Sequence, residues 1–468
     1  MIRKRPARGL PRAPAAVSAA GARGAPGAWG APGGPPSPGS PRGAPGGPPS
    51  PGSPRGAPGG PPSPGSPRGA PGGPPSPRGA LARRAQARGG SVLRARPAEA
   101  ESDSERQAQS LSNSDVVTKY KSAATIANDA LAAVAKAAVP GAKVADLCIL
   151  GDKLIEEAAA KQFKGKDIEK GIAIPTSVSN GTAIGHQSPG PEDATTIAEG
   201  ELVRIDLGAH IDGFIAQAGT TVVAGGAPAT GAAADVVRAT SEAYEAASRL
   251  VRAGGSSEAV AAAIRAVAEA YGLSVVEGVS SHEVKRFIVD GQKAIDPRPA
   301  AEAPKPAEFE TEAGEVYALD VALSTGDGRP RVTDDKATTV FRRSLEGTWQ
   351  LKIKASRELY GEVSRRFPTV LFATRALESP HARYALVECV NHGLLTPFPV
   401  LHEKPGALVA RIKGTVLLTP TGLDRITEAP LPELEGESKI QDEELKNLLA
   451  KPVSDKKKRK KKTKKVAA

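Results

Sequence analysis

Apolar and polar residues alternate with a period of two along residues 201–223, which read ELVRIDLGAHIDGFIAQAGTTVV. The alternation is interrupted at Gly208 and at Gly213 and resumes after each glycine, which predicts two adjoining strands of one sheet. Asp206 lies inside the first apolar run, so we expect its carboxylate to be buried and to need a cation, a hydrogen-bond donor or a metal ion. An aspartate satisfied by backbone N–H groups beside a turn is the ordinary alternative.

Longer periodic segments flank this stretch. Helical spacing of apolar residues predicts helices at 112–139, 144–162, 232–251, 257–271 and 351–367. Apolar runs bounded by turn residues predict strands at 171–179, 183–186, 273–280, 315–323, 337–341 and 408–418, of which the last closes the sheet. Adjoining antiparallel strands that alternate with paired helices favour an α+β fold over a parallel, doubly wound sheet.

The N-terminal segment has a different composition. Before Glu99 the chain carries fifteen Lys or Arg and no acid, and GAPGGPPSPGSPR repeats at 30–42, 43–55 and 56–68. Such a sequence cannot bury enough apolar surface to fold, so residues 1–110 are predicted to form a disordered arm, partly in polyproline II conformation. The Arg- and Ala-rich opening is also typical of organelle transit peptides, so organelle targeting stays an alternative to a solvated arm.

The net charge of +12 belongs to the two ends of the chain. Residues 99–450 carry a net charge of −12, whereas 451–468 carry ten Lys or Arg against the single Asp455. The body is therefore acidic between two basic ends. No apolar run approaches the roughly 20 residues that span a bilayer, so we expect no membrane partner.

Four residues of metal-ligand type lie in or beside the apolar strand runs: His186, Asp206, His282 and Asp320. Singly, each such residue is more often a satisfied core residue than a ligand. Five motifs in order accompany them: TAIGHQSP at 182–189, VRIDLGAHIDGF at 203–214, EGVSSH at 277–282, EVYALD at 315–320 and RIKGTVLL at 411–418. Their order and spacing resemble those of the type II methionine aminopeptidases of peptidase family M24.

A narrower resemblance rests on VVTKYK at 116–121, IDGFIA at 211–216, VEC at 387–389 and the Lys-rich end. These segments are similar to the proliferation-associated, Erb-B-receptor-binding proteins, a non-catalytic branch of that family. The resemblance implies a pita-bread α+β fold for residues 111–435.

The resemblance also implies which positions correspond to the two-metal site of the aminopeptidases. That site uses two Asp, one His and two Glu, and Asp206, His282 and Asp320 stand at three of these positions. The second Asp falls on Gln217 and the bridging Glu on Lys413, while His186 matches a substrate-contacting histidine. Two divalent ions about 3.5–4 Å apart need bridging anionic ligands.

The substituted positions remove that charge, because Gln217 is neutral and Lys413 is a cation. We therefore expect no catalytic residue, no bound metal and no cofactor, only a vestigial pocket. Lys413 Nζ is predicted to lie within salt-bridge distance of Asp206 or Asp320 as an internal counter-ion. Asp212, which stands beside Gly213, is better explained by turn chemistry than by a ligand role.

The end of the chain suggests two further functional segments. A disordered tail over 451–468 is predicted to bind RNA by counterion release through Lys456, Lys457, Lys458, Arg459, Lys460, Lys461, Lys462, Lys464 and Lys465. Before it, an amphipathic helix over 436–450 presents Leu445, Leu448 and Leu449 on one face. In the resembling proteins this LxxLL pattern is associated with nuclear receptor partners, but packing of the leucines on their own domain is the favoured alternative.

The substituted metal positions and the basic tail predict a monomer that lacks peptidase activity and binds a polyanion such as RNA, in the cytoplasm and in the nucleus or nucleolus. The resemblance implies that the protein associates with a ribosomal subunit and regulates growth and translation. Two alternatives remain. One is a residual aminopeptidase with a single metal on Asp206, His282 and Asp320. The other is a protein-interaction scaffold or transcriptional co-regulator that uses the cleft and the C-terminal helix.

Overall fold

The computed structural model describes residues 109–300, 307–334, 337–378, 382–420 and 422–453. The predictions for the N-terminal arm up to residue 108, and for the nine basic residues of the tail, lie outside the described residues. No helix in the described ranges is both long enough and apolar enough to cross a membrane.

Seven α-helices occur in the described residues, and most bounds agree with the predicted ones to within a few residues. They are α1 (Ser114–Ala137), α2 (Val144–Lys161), α3 (Gly231–Leu250), α4 (Ser257–Ala270), α5 (Lys354–Arg366), α6 (Ala382–Asn391) and α7 (Glu443–Ala450). Asn113 caps α1 by accepting the Asp115 N–H. A 3₁₀ turn covers Thr374–Ala376.

The strands, in chain order, are β1 (Lys170–Ser179), β2 (Ala183–Gly185), β3 (Leu202–Ile211), β4 (Phe214–Val223), β5 (Gly255–Ser256), β6 (Ser274–Val275), β7 (Ser281–Glu283), β8 (Ala294–Ile295), β9 (Glu310–Thr311), β10 (Val316–Ser324), β11 (Arg331–Val332), β12 (Val340–Arg343), β13 (Leu371–Ala373), β14 (Leu395–Phe398), β15 (Leu401–His402), β16 (Val409–Thr419) and β17 (Gly422–Arg425). The main sheet has nine strands in the order β1-β3-β4-β16-β10-β7-β8, with β17 beside β16 and β6 beside β10. Its strands pair antiparallel, which confirms the predicted α+β class.

Both helix pairs cover the same face of the main sheet. Helices α1 and α2 pack on alternate β3 residues, including Ile205 and Leu207. Helices α3 and α4 pack on alternate residues of β10 and β16, including Leu319 and Ile412. Since successive side chains of a strand point to opposite faces, Asp206, Lys413 and Asp320 all lie on the other face. We call this the open face, because neither helix pair covers it.

Three sequence-based predictions about the strands were wrong. Strand β3 does not break at Gly208, which pairs with Gln217 in mid-strand. A Cβ there would lie 3.3 Å from the Ile174 side chain, so the glycine permits close strand packing. Strand β16 does not close the sheet but lies in its centre, between β4 and β10. The predicted strand 273–280 is reduced to β6, and its remaining residues form a loop that leads to β7.

A small subdomain between residues 340 and 398 was only half predicted. One strand and one helix were expected there, but the structure adds β13, β14 and α6. The small sheet β13-β12-β14 and the two helices share a core that includes Phe341, Leu359, Phe372 and Cys389. Strands of three or four residues are too short to show a clear alternation of apolar and polar residues, so they could not be recognised in the sequence. Their formation depends on tertiary packing within the subdomain.

The turn between β3 and β4 confirms the interpretation of Asp212. Ile211 pairs with Phe214, and the two turn residues Asp212 and Gly213 have φ of 54° and 76°, as in a type I′ hairpin. The Asp212 carboxylate pairs with Lys119 of α1 at 2.8 Å and with Arg286 at 2.5 Å. Asp212 therefore ties the hairpin to a helix and to the loop after β7.

Replacing Asp212 by asparagine is expected to lower the free energy of unfolding by about 1–2 kcal/mol at neutral pH, because two charge-assisted hydrogen bonds are weakened. Burial alone would raise the pKa of Asp212, but hydrogen bonds from Lys119 and Arg286 lower it. The pKa of Asp212 is therefore lower in the folded chain than in the unfolded chain. The stabilisation is fully present above the pKa of the unfolded chain and is lost as the pH falls through the pKa of the folded chain.

Urea denaturation between pH 3 and 7 checks this expectation, because the difference between Asp212→Asn and the wild type should shrink below about pH 4. Asp115→Asn is the control, since Asp115 pairs with the same lysine but is 48% exposed. It should cost less than about 0.5 kcal/mol. An equal loss of stability in the two variants would contradict the conclusion that Asp212 ties the hairpin to α1 and to the loop after β7.

Candidate functional site

The register of the main sheet brings the candidate residues together in two neighbouring rows on the open face. One row runs Ser177, Asp206, Gly219, Lys413 and Asp320 across β1, β3, β4, β16 and β10. The next row runs Ser179, Arg204, Thr221, Arg411 and Ala322 across the same strands, with Thr221 and Arg411 joined by hydrogen bonds. Charged residues from three strands thereby converge at the middle of the sheet.

Lys413 forms the predicted internal counter-ion. Its Nζ lies 2.7 Å from Asp206 Oδ2 and 3.2 Å from Asp320 Oδ2, and all three side chains are less than a tenth exposed. The prediction that Lys413 pairs with one of these carboxylates is confirmed, and it pairs with both. Gly219 makes room for the lysine stem, since a Cβ at this position would lie 3.1 Å from Lys413 Cβ.

Arg411 is a second cation in the site, and sequence reasoning missed it. Its Nε donates to Asp320 Oδ1 at 2.8 Å and its Nη2 to Asp320 Oδ2 at 2.5 Å, a bidentate pair. Nη2 also lies 3.9 Å from Asp206 Oδ2. The available signal was the two-residue spacing of Arg411 and Lys413 in one strand, which places both on the same face.

These two cations change the acidity of Asp320. Burial alone would raise the pKa of this carboxyl, but the charges of Arg411 and Lys413 outweigh burial and lower it to about 2. For Arg411, burial acts to lower the pKa and Asp320 raises it above its ordinary value. Asp320 is therefore a carboxylate at neutral pH, fully engaged by its neighbours.

Gln217 is buried and pairs with Gly208, which follows Asp206 by two residues in β3. Its hydrogen bonds hold neighbouring segments of the structure together. Its backbone N–H donates to Thr415 Oγ1, and its side-chain amide donates to the Val289 carbonyl at 3.1 Å. Its backbone carbonyl accepts hydrogen bonds from Thr415 and Thr427. The amide thus ties β4 to the segment after β7.

The two histidines border the charged rows and are held neutral. Burial lowers the pKa of His186 to about 4, and the nearby Arg411 acts in the same direction. Burial also lowers the pKa of His282, whose Nδ1 has no hydrogen-bond partner among the described residues. His186 has a φ of 64° and packs edge-on against Phe398.

The side chains present do not fit a two-metal centre. Three of the four carboxylate oxygens of Asp206 and Asp320 already pair with Lys413 or Arg411, which leaves only Asp206 Oδ1 without a partner in the described chain. A divalent ion placed between the carboxylates would meet the lysine ammonium; two unit charges of like sign at 4 Å repel by about 4 kcal/mol at an effective dielectric of 20, and a divalent ion doubles this cost. Across the described ranges, no group of three or more His, Cys, Asp or Glu is arranged to hold a metal.

The cavity beside these residues is small. It measures about 10 Å³ and is lined by residues that include Arg204, Asp206, Arg411 and Lys413. That volume is about the minimum needed for one water molecule. A peptide N-terminus cannot enter it.

Helix α7 carries the three leucines of the predicted partner helix. It begins at Glu443, seven residues later than the predicted start, and Asp442 caps it by accepting the N–H groups of Glu444 and Leu445. Leu445 is 8% exposed, and the half-buried Leu448 and Leu449 pack against the same core cluster as α3 and α4. The favoured interpretation, packing of these leucines on their own domain, is thus confirmed for this structure, while partner recruitment stays a prediction.

Comparison with known proteins gives concordant matches. The profile of metallopeptidase family M24 matches residues 118–339. The ERBB-3 binding protein 1 of Solanum tuberosum is 47% identical over 366 residues, which cover 76% of this chain and 93% of that protein. Proliferation-associated protein A of Dictyostelium discoideum is 40% identical, with 76% and 93% covered. A solved structure described as a thermophilic Arx1 superimposes with a TM-score of 0.68 at 33% identity and covers 73% of this chain and all of its own.

Proposed function

The chain belongs to metallopeptidase family M24, within its ERBB-3-binding and proliferation-associated group, and on that premise we propose that it binds RNA or the ribosome and regulates growth and translation without hydrolysing peptides. The observation that carries the non-catalytic part is the ion-pair cluster, in which Lys413 and Arg411 take the carboxylate oxygens that metal ions would need.

The loss of peptidase activity follows from the charge of the site. Hydrolysis in this family requires metal ions that supply an activated water, and such ions need uncompensated anionic ligands. Here Asp320 is fully engaged by Arg411, and Asp206 is engaged by Lys413. His186 has no metal-bound nucleophile to assist, and Asp206 Oδ1, the one oxygen of the two carboxylates without a partner in the described residues, offers a metal ion a single ligand atom.

The one-metal alternative on Asp206, His282 and Asp320 has weaker support for the same reason. Such an ion would have to displace Arg411 from a bidentate pair and approach the Lys413 ammonium. We therefore keep it as one possible outcome of a metal-binding measurement.

RNA binding rests on the distribution of charge along the chain. Residues 99–450 carry a net charge of −12, so the acidic body should repel a polyanion, whereas nine Lys or Arg lie within 456–465. Such a cationic run binds phosphates and releases their counterions. The same basic run suits nuclear or nucleolar import, so we propose that the chain occupies these compartments as well as the cytoplasm. We also propose that it acts as a monomer.

Sedimentation of the full chain with ribosomes at two salt concentrations tests this proposal. Replacement of the nine basic residues of 456–465 by glutamine should reduce the bound fraction at low salt at least about tenfold, and wild-type binding should weaken steeply as salt rises. A tail with the same residues in shuffled order is the matched control and should bind as the wild type does. Binding that is unaffected by neutralisation and by salt would refute the tail as the RNA contact and would favour the scaffold alternative.

A further inference from the structure

The turn between β1 and β2 holds the one Asn-Gly pair of the sequence, Asn180-Gly181. Gly181 has a φ of 55°, which glycine adopts without strain, and the Ala183 N–H donates to the Asn180 carbonyl at 3.1 Å to close the turn. Asn180 is half-buried and Gly181 is exposed. Because glycine has no side chain to screen its backbone nitrogen, this nitrogen is a ready nucleophile toward the amide carbon of the preceding asparagine.

The Glu201 carboxylate contacts both nitrogen atoms that take part in such an attack. Glu201 Oε1 accepts the Gly181 N–H at 2.6 Å, and Oε2 accepts a hydrogen bond from Asn180 Nδ2 at 3.3 Å. The Ala198 N–H donates to Oε2 at 2.8 Å and so holds the carboxylate in place. One oxygen lies at the attacking nitrogen and the other at the leaving nitrogen, which are the positions that a general base and a general acid must occupy.

Arg204, a buried cation of the open face, fixes the same turn from the protein interior. Its side chain donates to the Gly181 carbonyl at 2.9 Å and to the Val409 carbonyl at 3.1 Å. Burial lowers the pKa of Arg204 to about 10, and the negative charge of Glu201 acts against this lowering. Glu201 is therefore both the counter-charge of Arg204 and the acceptor for the turn, so its carboxylate stays close to the two nitrogen atoms.

We propose that Asn180 is a modification site that deamidates itself in the folded chain, with Glu201 as the catalytic residue. The Gly181 nitrogen gives its proton to Glu201 Oε1 and bonds to Asn180 Cγ, which closes a succinimide ring. Glu201 returns a proton to Nδ2, the Cγ–Nδ2 bond breaks and ammonia leaves. A water molecule then opens the ring at either carbonyl, so position 180 becomes aspartate or isoaspartate. The proposal does not depend on RNA binding by the tail.

The products change the charge and the backbone of the turn. Aspartate places a second carboxylate beside Glu201, and isoaspartate adds a methylene group to the main chain. Both changes weaken the hydrogen bond from Gly181 to Glu201 and the one from Arg204 to the Gly181 carbonyl. The turn leads into β2, whose residues Ile184 and Gly185 line the cavity beside the ion-pair cluster. Deamidation is thus a slow, irreversible change at the edge of that cluster.

Protection of Asn180 is the competing outcome, because the same hydrogen bonds also restrain the amide. The two outcomes differ in the comparison of the folded chain with the unfolded chain. Unfolding removes the contacts with Glu201, so Asn180 then reacts as it would in a peptide. Catalysis by Glu201 makes the folded chain faster than the unfolded one, whereas protection makes it slower.

Peptide mapping by mass spectrometry, after incubation of the full chain at neutral pH with or without urea, measures both rates. Asn180 should deamidate about tenfold or more faster in the folded wild type than in the unfolded chain. Glu201→Gln should remove this advantage. Glu199→Gln, at an exposed position in the same loop, is the control and should keep it. A folded wild type that reacts no faster than the unfolded chain, or an unchanged rate in Glu201→Gln, overturns the proposal.

The wild-type comparison keeps the proposal testable if Glu201→Gln does not fold. Asn128 of α1 is the reference in the same digest, because its side chain donates to the Ile426 carbonyl and accepts the Glu428 N–H, with no carboxylate at its amide nitrogen. It should stay intact while Asn180 reacts. Equal deamidation of Asn128 and Asn180 in the folded chain would show an uncatalysed reaction and would refute the role of Glu201.

Discussion

Replacement of Lys413 by methionine is expected to lower the free energy of unfolding by about 3–5 kcal/mol, the typical cost of removing one partner from a buried ion pair. Methionine fills nearly the same volume, so the loss comes from charge and not from a cavity. Asp206 would keep only the more distant Arg411, at 3.9 Å, and its carboxylate would remain buried. Chemical denaturation of the full chain at neutral pH measures this change.

Two further variants show whether the ion pair is the cause. Lys354→Met removes a lysine that is 83% exposed and pairs with Glu358 at 3.6 Å, and it should cost less than about 0.5 kcal/mol. Asp206→Leu combined with Lys413→Met removes both charges and should recover most of the lost stability, because an apolar pair often replaces a buried ion pair without loss. If Lys413→Met is as stable as the wild type, or if the double variant is less stable than either single variant, the counter-ion role is wrong.

Restoration of anionic ligands is expected to convert the pocket into a metal site, but only when Arg411 is removed as well. Gln217→Asp with Lys413→Glu restores the aspartate and glutamate that the family uses at these positions, yet Arg411 would still hold both oxygens of Asp320. We therefore expect the double variant to bind cobalt or manganese weakly. The triple variant that also carries Arg411→Ala should bind about two ions per chain.

Metal content after gel filtration, together with the rise of Tm on addition of cobalt, checks this prediction without relying on activity. The full wild-type chain is the reference and should retain no stoichiometric metal. Stoichiometric cobalt in the wild type, with turnover of Met-initiated peptides that His282→Ala abolishes, would instead establish the one-metal aminopeptidase.

The strand pattern predicted only part of the site, and the family resemblance supplied the rest. The apolar run around Asp206 indicated a buried carboxylate, whereas Lys413 was expected to pair with it because Lys413 stands where the related aminopeptidases have a metal-bridging glutamate. Arg411 was missed because its two-residue spacing from Lys413 shows only that both side chains lie on the same face of β16. That this face meets the carboxylate of Asp320 is known only once β10 is known to be the neighbouring strand. Asp320 lies opposite Lys413 in β10, a pairing that no local pattern encodes.

The fold was predicted less well where local signals are short. Gly208 was interpreted as a break, although the missing side chain instead lets Ile174 of β1 approach. The central place of β16 follows from pairing with two strands that lie about 190 and 90 residues earlier in the chain. Arg204 was not singled out, because nothing in the local strand pattern shows that its guanidinium is buried and donates to the carbonyl oxygens of Val409 and Gly181.

The central position of β16 has a consequence for the order in which the protein folds during synthesis. Strands β4 and β10 leave the ribosome long before Val409–Thr419, so until then each has an unpaired edge where β16 will lie. In that interval Asp206 and Asp320 face a gap without their counter-ion, and repulsion between them disfavours a premature closure of β4 onto β10. The arrival of Lys413 and Arg411 neutralises the gap, so the last long strand to be translated is also the one that completes the sheet.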